Sequence, residues 1–126
     1  MLFRSAERGA PSGDIWAMAQ DPDGYLWIGT NDGLVRFDGL EFVSWEAAGG
    51  APLPGRAVQV LTTTRDGSLW LGFGDANGPV RIRDGRASAF GTESGFTEGG
   101  IRAIAEDREG TVWARSEEHT SELQSH

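Results

Sequence analysis

Residues 21–39 read DPDGYLWIGTNDGLVRFDG. A thinner version returns over 65–85 as RDGSLWLGFGDANGPVRIRDG, and a third begins at 107 as DREGTVWA. The spacing is fixed. Gly24, Gly67 and Gly110 stand 43 residues apart, as do Trp27, Trp70 and Trp113, and as do Ile15, Val58 and Ile101. Three unrelated residue types holding one register make an internal repeat. A period of roughly 40–45 residues is that of a four-stranded propeller blade, and it also suits helical solenoids, so the local pattern has to decide.

That pattern is strand-like. Ile15, Ala17 and Ala19 alternate with Trp16, Met18 and Gln20, the period of two that puts alternate side chains on opposite sheet faces. A turn follows in each copy, DPDG, TRDG or DREG. Pro22 presets φ there, and the fourth-position glycine tolerates positive φ. Short apolar runs come next (YLWIGT, SLWLGF, TVWA), then a second turn (NDG or DANG), then LVRFDG or PVRIRDG, and EFVSW or RASAF closes the unit. Four short strands per repeat, with turn signals every 8–12 residues or so, predict an all-β chain. Residues 6–114 carry no sustained helical period, and GTESGFTEGG at 91–100 reads as a loop between repeats.

A blade is a small twisted sheet that cannot bury its own face, so each must stack on the next. A large aromatic at a fixed position supplies that contact. Burying about 150–250 Å² at ~25 cal/mol/Å² is worth about 4–6 kcal/mol as an upper bound. Gly29 and Gly72, directly after the tryptophan strand, are expected where a neighbouring backbone comes close. A carbohydrate-stacking role for the tryptophans is the functional rival to this structural one.

The phrase IWAMAQDPDGYLWIGTNDGLVRFDGLEF resembles the two-component regulator propeller repeat. Asp21, Gly24, Leu26, Trp27, Ile28, Gly29, Thr30, Gly33, Leu34, Arg36, Phe37, Asp38, Gly39 and Phe42 match its motif. The second copy keeps Gly67, Leu69, Trp70, Leu71, Gly72, Arg81, Asp84, Gly85 and Phe90. It departs at Thr64 (for the first Asp), at Phe73 (for Thr) and at an insertion around Asp75–Asn77. The third copy keeps Asp107, Gly110, Val112 and Trp113. The resemblance covers nearly all of 14–114. It implies a large β-propeller serving as the extracytoplasmic or periplasmic sensor of a membrane-anchored, dimeric signalling protein. It further implies an unidentified small-molecule or glycan ligand, and an output histidine kinase, often hybrid, or diguanylate cyclase. Chemistry would then lie elsewhere in the parent chain.

The ends read differently. The tail RSEEHTSELQSH (115–126) does not continue the repeat after Ala114. It looks like the conceptual translation of a common sequencing-library adapter, and MLFRS (1–5) looks like the opposite adapter read in frame. On this reading residues 6–114 are a gene fragment holding repeats at about 14–56, 57–99 and 100–114, and neither His119 nor His126 is biological. A short amphipathic helix is one expectation for the tail, and an ordinary signalling tail is the alternative.

The net charge of −8, the absence of lysine and the scattered arginines argue against nucleic-acid binding, which needs basic residues to neutralise phosphates. Without cysteine there are no disulfides or thiolate metal sites. Residues 6–114 contain no histidine, so a serine–histidine nucleophile has no base and a zinc site lacks its usual ligands. Asp21 with Asp23, and Glu106 with Asp107, sit beside turns, where solvated turn carboxylates are the simpler reading than a glycosidase pair. No catalytic, cofactor or metal residue is assigned. The sequence reading is a partial β-propeller: two nearly complete four-stranded blades and half of a third, non-catalytic, whose residues 6–114 alone are marginally stable because blade faces stay uncovered. The alternatives are a fragment of a streptogramin-lyase-like or lactonase-like propeller enzyme, or a scaffold propeller. The turn at Asn31–Gly33 and the insertion at Asp75–Asn77 are the loops to watch for a ligand.

Overall fold

The computed structural model describes residues 11, 13–76, 78–90, 95–96 and 99–124; the predicted adapter segment 1–5, Asn77, His126 and much of the 91–100 loop lie outside them. All regular structure among these residues is β. Strands β1 (Ile15–Gln20), β2 (Leu26–Thr30), β3 (Gly33–Phe37) and β4 (Phe42–Ser44) form one antiparallel sheet in chain order. β5 (Val58–Thr63), β6 (Leu69–Phe73), β7 (Val80–Arg83) and β8 (Arg86–Ala89) form a second. β9 (Ile101–Glu106), β10 (Val112–Ser116) and β11 (Thr120–Gln124) form a third. These are three consecutive blades of a partial propeller.

The blades share one register. In blade 1, Ile15 faces Thr30 and Ala17 faces Gly29. In blade 2, Val58 faces Phe73 and Val60 faces Gly72. In blade 3, Ile101 faces Ser116 and Ala103 faces Arg115. The same extra residue bulges from the first strand each time, as Trp16, Gln59 and Arg102. A bulge sharpens local twist, so each blade leaves its first strand with the same shape.

First strands stack on one another, β1 on β5 and β5 on β9. Alternation along the second strand then shares each sheet between two cores. Leu69, Leu71 and Phe73 join Trp27, Leu34, Trp45 and Val58 between blades 1 and 2. Trp70, on the opposite face, joins Phe96, Ile101, Ile104, Val112 and Ala114 between blades 2 and 3. Trp27 and Trp70 thus face the following blade, and Trp113, in the third blade, is 40% exposed.

The tail departs from the helical expectation. β10 runs past Ala114 to a buried Ser116, and 120–124 pairs with it as β11. The cause lies in β10, whose unpaired N–H and C=O groups offer a template for another strand. Leu123 turns inward against the core of blades 2 and 3, and the exposed Glu122 turns out. The third blade therefore holds three strands, and the Gln124 side chain accepts from Arg81 and donates to Asp66 of blade 2.

Candidate functional site

The opening turn of each blade decides what its polar groups can do. In blade 1, Gly24 N–H donates to the Asp21 carbonyl, and Gly24 sits at φ 92°, where a side chain would be strained. Asp21 Oδ1 accepts from the N–H groups of Asp23 (2.9 Å) and Tyr25 (3.0 Å). Its Oδ2 accepts from Trp27 Nε1 at 2.8 Å. Blade 3 repeats this atom for atom: Asp107 Oδ1 accepts from Glu109 and Thr111, and Oδ2 from Trp113 Nε1 at 2.9 Å. The Trp113 N–H is the foremost cause holding the Asp107 carboxyl below its ordinary range; the Thr111 and Glu109 amides and Arg65 add to it, against partial desolvation. One carboxylate therefore closes the turn and fixes the indole. Sequence reasoning saw the turn; the indole bond lay in the six-residue Asp-to-Trp spacing.

Blade 2 differs. Thr64 stands at the aspartate position and donates its hydroxyl to Asp66 Oδ1 at 2.8 Å, while Asp66 Oδ1 also accepts from Ser68 N–H. The Trp70 indole N–H is buried without a partner. Asp66 was not singled out from sequence, yet Thr64, Ser68, Arg83 and Gln124 all meet it. Burial pushes its pKa up, but those hydrogen bonds prevail and hold it far below the ordinary range.

The remaining motif residues serve the frame. Asp38 accepts from Leu40 and Glu41 N–H groups at the turn containing Gly39, and those two amides hold its carboxyl low. Asp84 and Gly85 form the β7–β8 turn with φ 52° and 76°, the signs that a type I′ hairpin requires. Gly33 opens β3 and its carbonyl accepts from Thr30. Gly67 and Gly110 occupy the position of Gly24 in their turns. Gly29 lies beneath Val58, and Gly72 beneath Ile101.

The described residues of the two loops singled out for ligands make contacts within the chain. Asn31 Oδ1 accepts from Trp16 Nε1 at 2.6 Å, and Asp32 pairs with Arg56 across the surface. Asp75 accepts from the backbone N–H groups of Arg56 and Ala57. Desolvation opposes its ionisation, but those amides and the Arg56 charge prevail and lower its pKa.

A cleft of about 280 Å³ opens between blades 1 and 2 at the turn end. Tyr25, Trp27, Trp45 and Ile82 give it an apolar floor, and Asp23, Arg36, Arg83 and Asp84 give it a mixed polar rim. The Arg36 guanidinium lies over the Tyr25 ring, 4.4 Å from its centre, and its Nε is buried without a partner. Arg36 faces Trp27 across the β2–β3 pair, as Arg81 faces Trp70; Glu122 faces Trp113 in blade 3. The cleft's lining residues include carboxylates, two arginines and the Tyr25 phenol, and no imidazole or thiol. Among the described residues no cluster of three or more His, Cys, Asp or Glu is placed to hold a metal ion, and no helix is long and apolar enough to cross a membrane.

The model of the two component regulator propeller family matches residues 9–32, which carry the β1–β2 hairpin with Asp21, Trp27 and Gly29. No curated protein matches the chain.

Proposed function

Starting from a first blade that carries the two component regulator propeller repeat, we propose that the chain is part of the signal-receiving propeller of a bacterial two-component protein, lying outside the cytoplasm in its parent. The observation that carries this reading is the family match on a chain built of stacked blades in one register. In support, the polar motif residues close turns and clamp indoles rather than converge on a reacting centre. Binding and relay, not catalysis, are the tasks such a surface suits. The ligand class is a small polar molecule or glycan, met by loops from several blades.

Reading the source genome outward from the codons of Trp113 and Ala114 tests the proposal. The expected result is a frame that continues into further blades, then a membrane span and a kinase or cyclase domain. A frame that completes a propeller with histidine and glutamate gathered at its channel, and no output domain, would overturn it in favour of an enzyme.

A further inference from the structure

The Arg36 guanidinium has left water at its Nε and gained no counterion. That Nε is buried without an acceptor, and no carboxylate among the described residues pairs with the group. It lies over the Tyr25 ring, 6.0 Å from the centre of the Trp27 ring. The Asp38 carboxylate feels its charge but accepts from the Leu40 and Glu41 amides instead. Arg81 lies by Trp70 in the same way, so the stack itself is framework; in blade 1 it presents a guanidinium at the cleft of about 280 Å³ between the first two blades. The other charges lining that cleft fall into two kinds. Asp21 is committed to its turn and to Trp27, and Arg83 to Asp66. Asp23 and Asp84, one from each blade, are exposed. Neither accepts a hydrogen bond from another described residue. All the lining residues fall between Asp21 and Gly85.

We infer that the cleft between blades 1 and 2 binds a free α-amino acid with a large apolar side chain: its carboxylate on the Arg36 guanidinium, its ammonium at Asp23 and Asp84, its side chain on Trp27, Trp45 and Ile82. The charges left over select this class. A neutral sugar would stack on the indoles but leave Arg36 without a counterion. An acidic sugar would meet Arg36 and bring its own carboxylate among Asp21, Asp23 and Asp84. A ligand with one carboxylate and one ammonium answers both signs, and hydrogen bonds between ionised groups are the strong ones. The planar guanidinium also matches a carboxylate edge to edge. The floor asks for an apolar body, since Trp27, Trp45 and Ile82 are buried and the two indoles are tilted 58° with centres 6.3 Å apart. Size agrees: the cleft lies just under the range of roughly 300–1,000 Å³ for pockets that take drug-sized ligands, so one amino acid suits it better than an oligosaccharide. The inference rests on the signal-receiving reading for its use in the parent protein; the binding itself does not need that reading.

Calorimetric titration of the whole chain tests the site, with circular dichroism confirming strand content in each variant. L-Phenylalanine is expected to bind at least tenfold more tightly than N-acetyl-L-phenylalanine, which lacks the ammonium, and than phenethylamine, which lacks the carboxylate. Arg36→Gln should weaken L-phenylalanine at least tenfold and leave phenethylamine unchanged. Asp23→Asn combined with Asp84→Asn should weaken both, and asparagine tolerates the positive φ of Asp84. A folded chain that binds no L-phenylalanine overturns the inference, as does equal binding of the three compounds. Equal losses of L-phenylalanine and phenethylamine in Arg36→Gln overturn it too. Should Arg36→Gln fail to fold, the three compounds on the unaltered chain still decide. Binding of D-glucuronate or maltose in place of L-phenylalanine overturns the amino-acid class and leaves the signal-receiving reading standing; a source gene without an output domain overturns that reading and leaves the binding as measured.

Discussion

In blade 1 the Asp21 carboxylate ties its turn to the indole of Trp27; in blade 2 Thr64 stands in the same place and the Trp70 indole N–H has no partner. The two turns nevertheless close with the same glycine N–H bond, 3.0 Å in one and 2.9 Å in the other. Packing separates them. Trp70 is 0% exposed, tilted against Phe90 at 5.2 Å and walled in by Phe96, Ile101 and Val112. Trp113 is 40% exposed and keeps its aspartate. A carboxylate anchor and full burial are thus two means of fixing one side chain, and the anchor persists where burial is weakest. The largest test of this division is truncation. Trp70→Ala should cost about 3–5 kcal/mol, the range for a large buried aromatic, and Trp113→Ala only about 1 kcal/mol. Urea midpoints of the whole chain check this, and equal losses would break the comparison.

The glycine fittings rank next. Gly29→Ala drives a Cβ onto a backbone carbonyl, which cannot rotate away, whereas Gly72→Ala meets the Ile101 side chain. Overpacking of a tight contact costs about 1–3 kcal/mol. Gly29→Ala should fall at the upper end and Gly72→Ala at the lower. A reversed order would mean that blades 1 and 2 yield more readily than blades 2 and 3.

Period, turn glycines and alternation made the blades legible in the sequence, because each is a local or strictly repeated signal. Gly29 and Gly72 were legible as close approaches for the same reason. What stayed hidden depends on atoms brought together across distance. Asp66 gathers partners from its own turn, from Arg83 and from Gln124, and no spacing in blade 2 announces that. The strand over Thr120–Gln124 replaced the expected helix because its pairing is imposed by the open edge of β10, which the polar composition of the tail does not announce. The cleft under Arg36 needs two blades at once, so neither repeat alone could show it.

Restoring the missing acceptor sharpens the comparison further. Thr64→Asn can present its amide oxygen to Trp70 Nε1 and its N–H₂ to Asp66 Oδ1, which now accepts from the threonine hydroxyl. Satisfying a buried donor is worth about 1 kcal/mol, so the variant should gain that much by urea unfolding. Thr64→Asp supplies the acceptor but places a second carboxylate against Asp66, so it should gain nothing. Asp21→Ala, by contrast, should lose about 2 kcal/mol, since a cap and a charged acceptor go together. If Thr64→Asp stabilises as well as Thr64→Asn, charge around Asp66 is better screened than its hydrogen bonds imply.

The smallest effect is in acid, and it separates the same two turns. The carboxyls of Asp38, Asp66, Asp75 and Asp107 all titrate below their ordinary value of 3.8 in the folded chain. Where the folded pKa is depressed, the unfolded chain binds more protons over the interval between the two values, so stability rises with pH there. The contribution is complete above the unfolded carboxylate range near pH 4 and drains away as pH falls through the folded values. The source differs between turns. Asp107 is held low first of all by the Trp113 N–H, whereas Asp66 is held low by Thr64, Ser68 and Gln124 with no indole among them. Trp113→Phe should therefore raise the Asp107 pKa in a carboxyl ¹³C titration and flatten the loss of stability below pH 4, since the folded and unfolded values draw together. Trp70→Phe should leave the Asp66 titration where it was. An upward movement of Asp66 in Trp70→Phe would show the buried indole reaching that carboxylate, and the division between anchored and unanchored turns would fall.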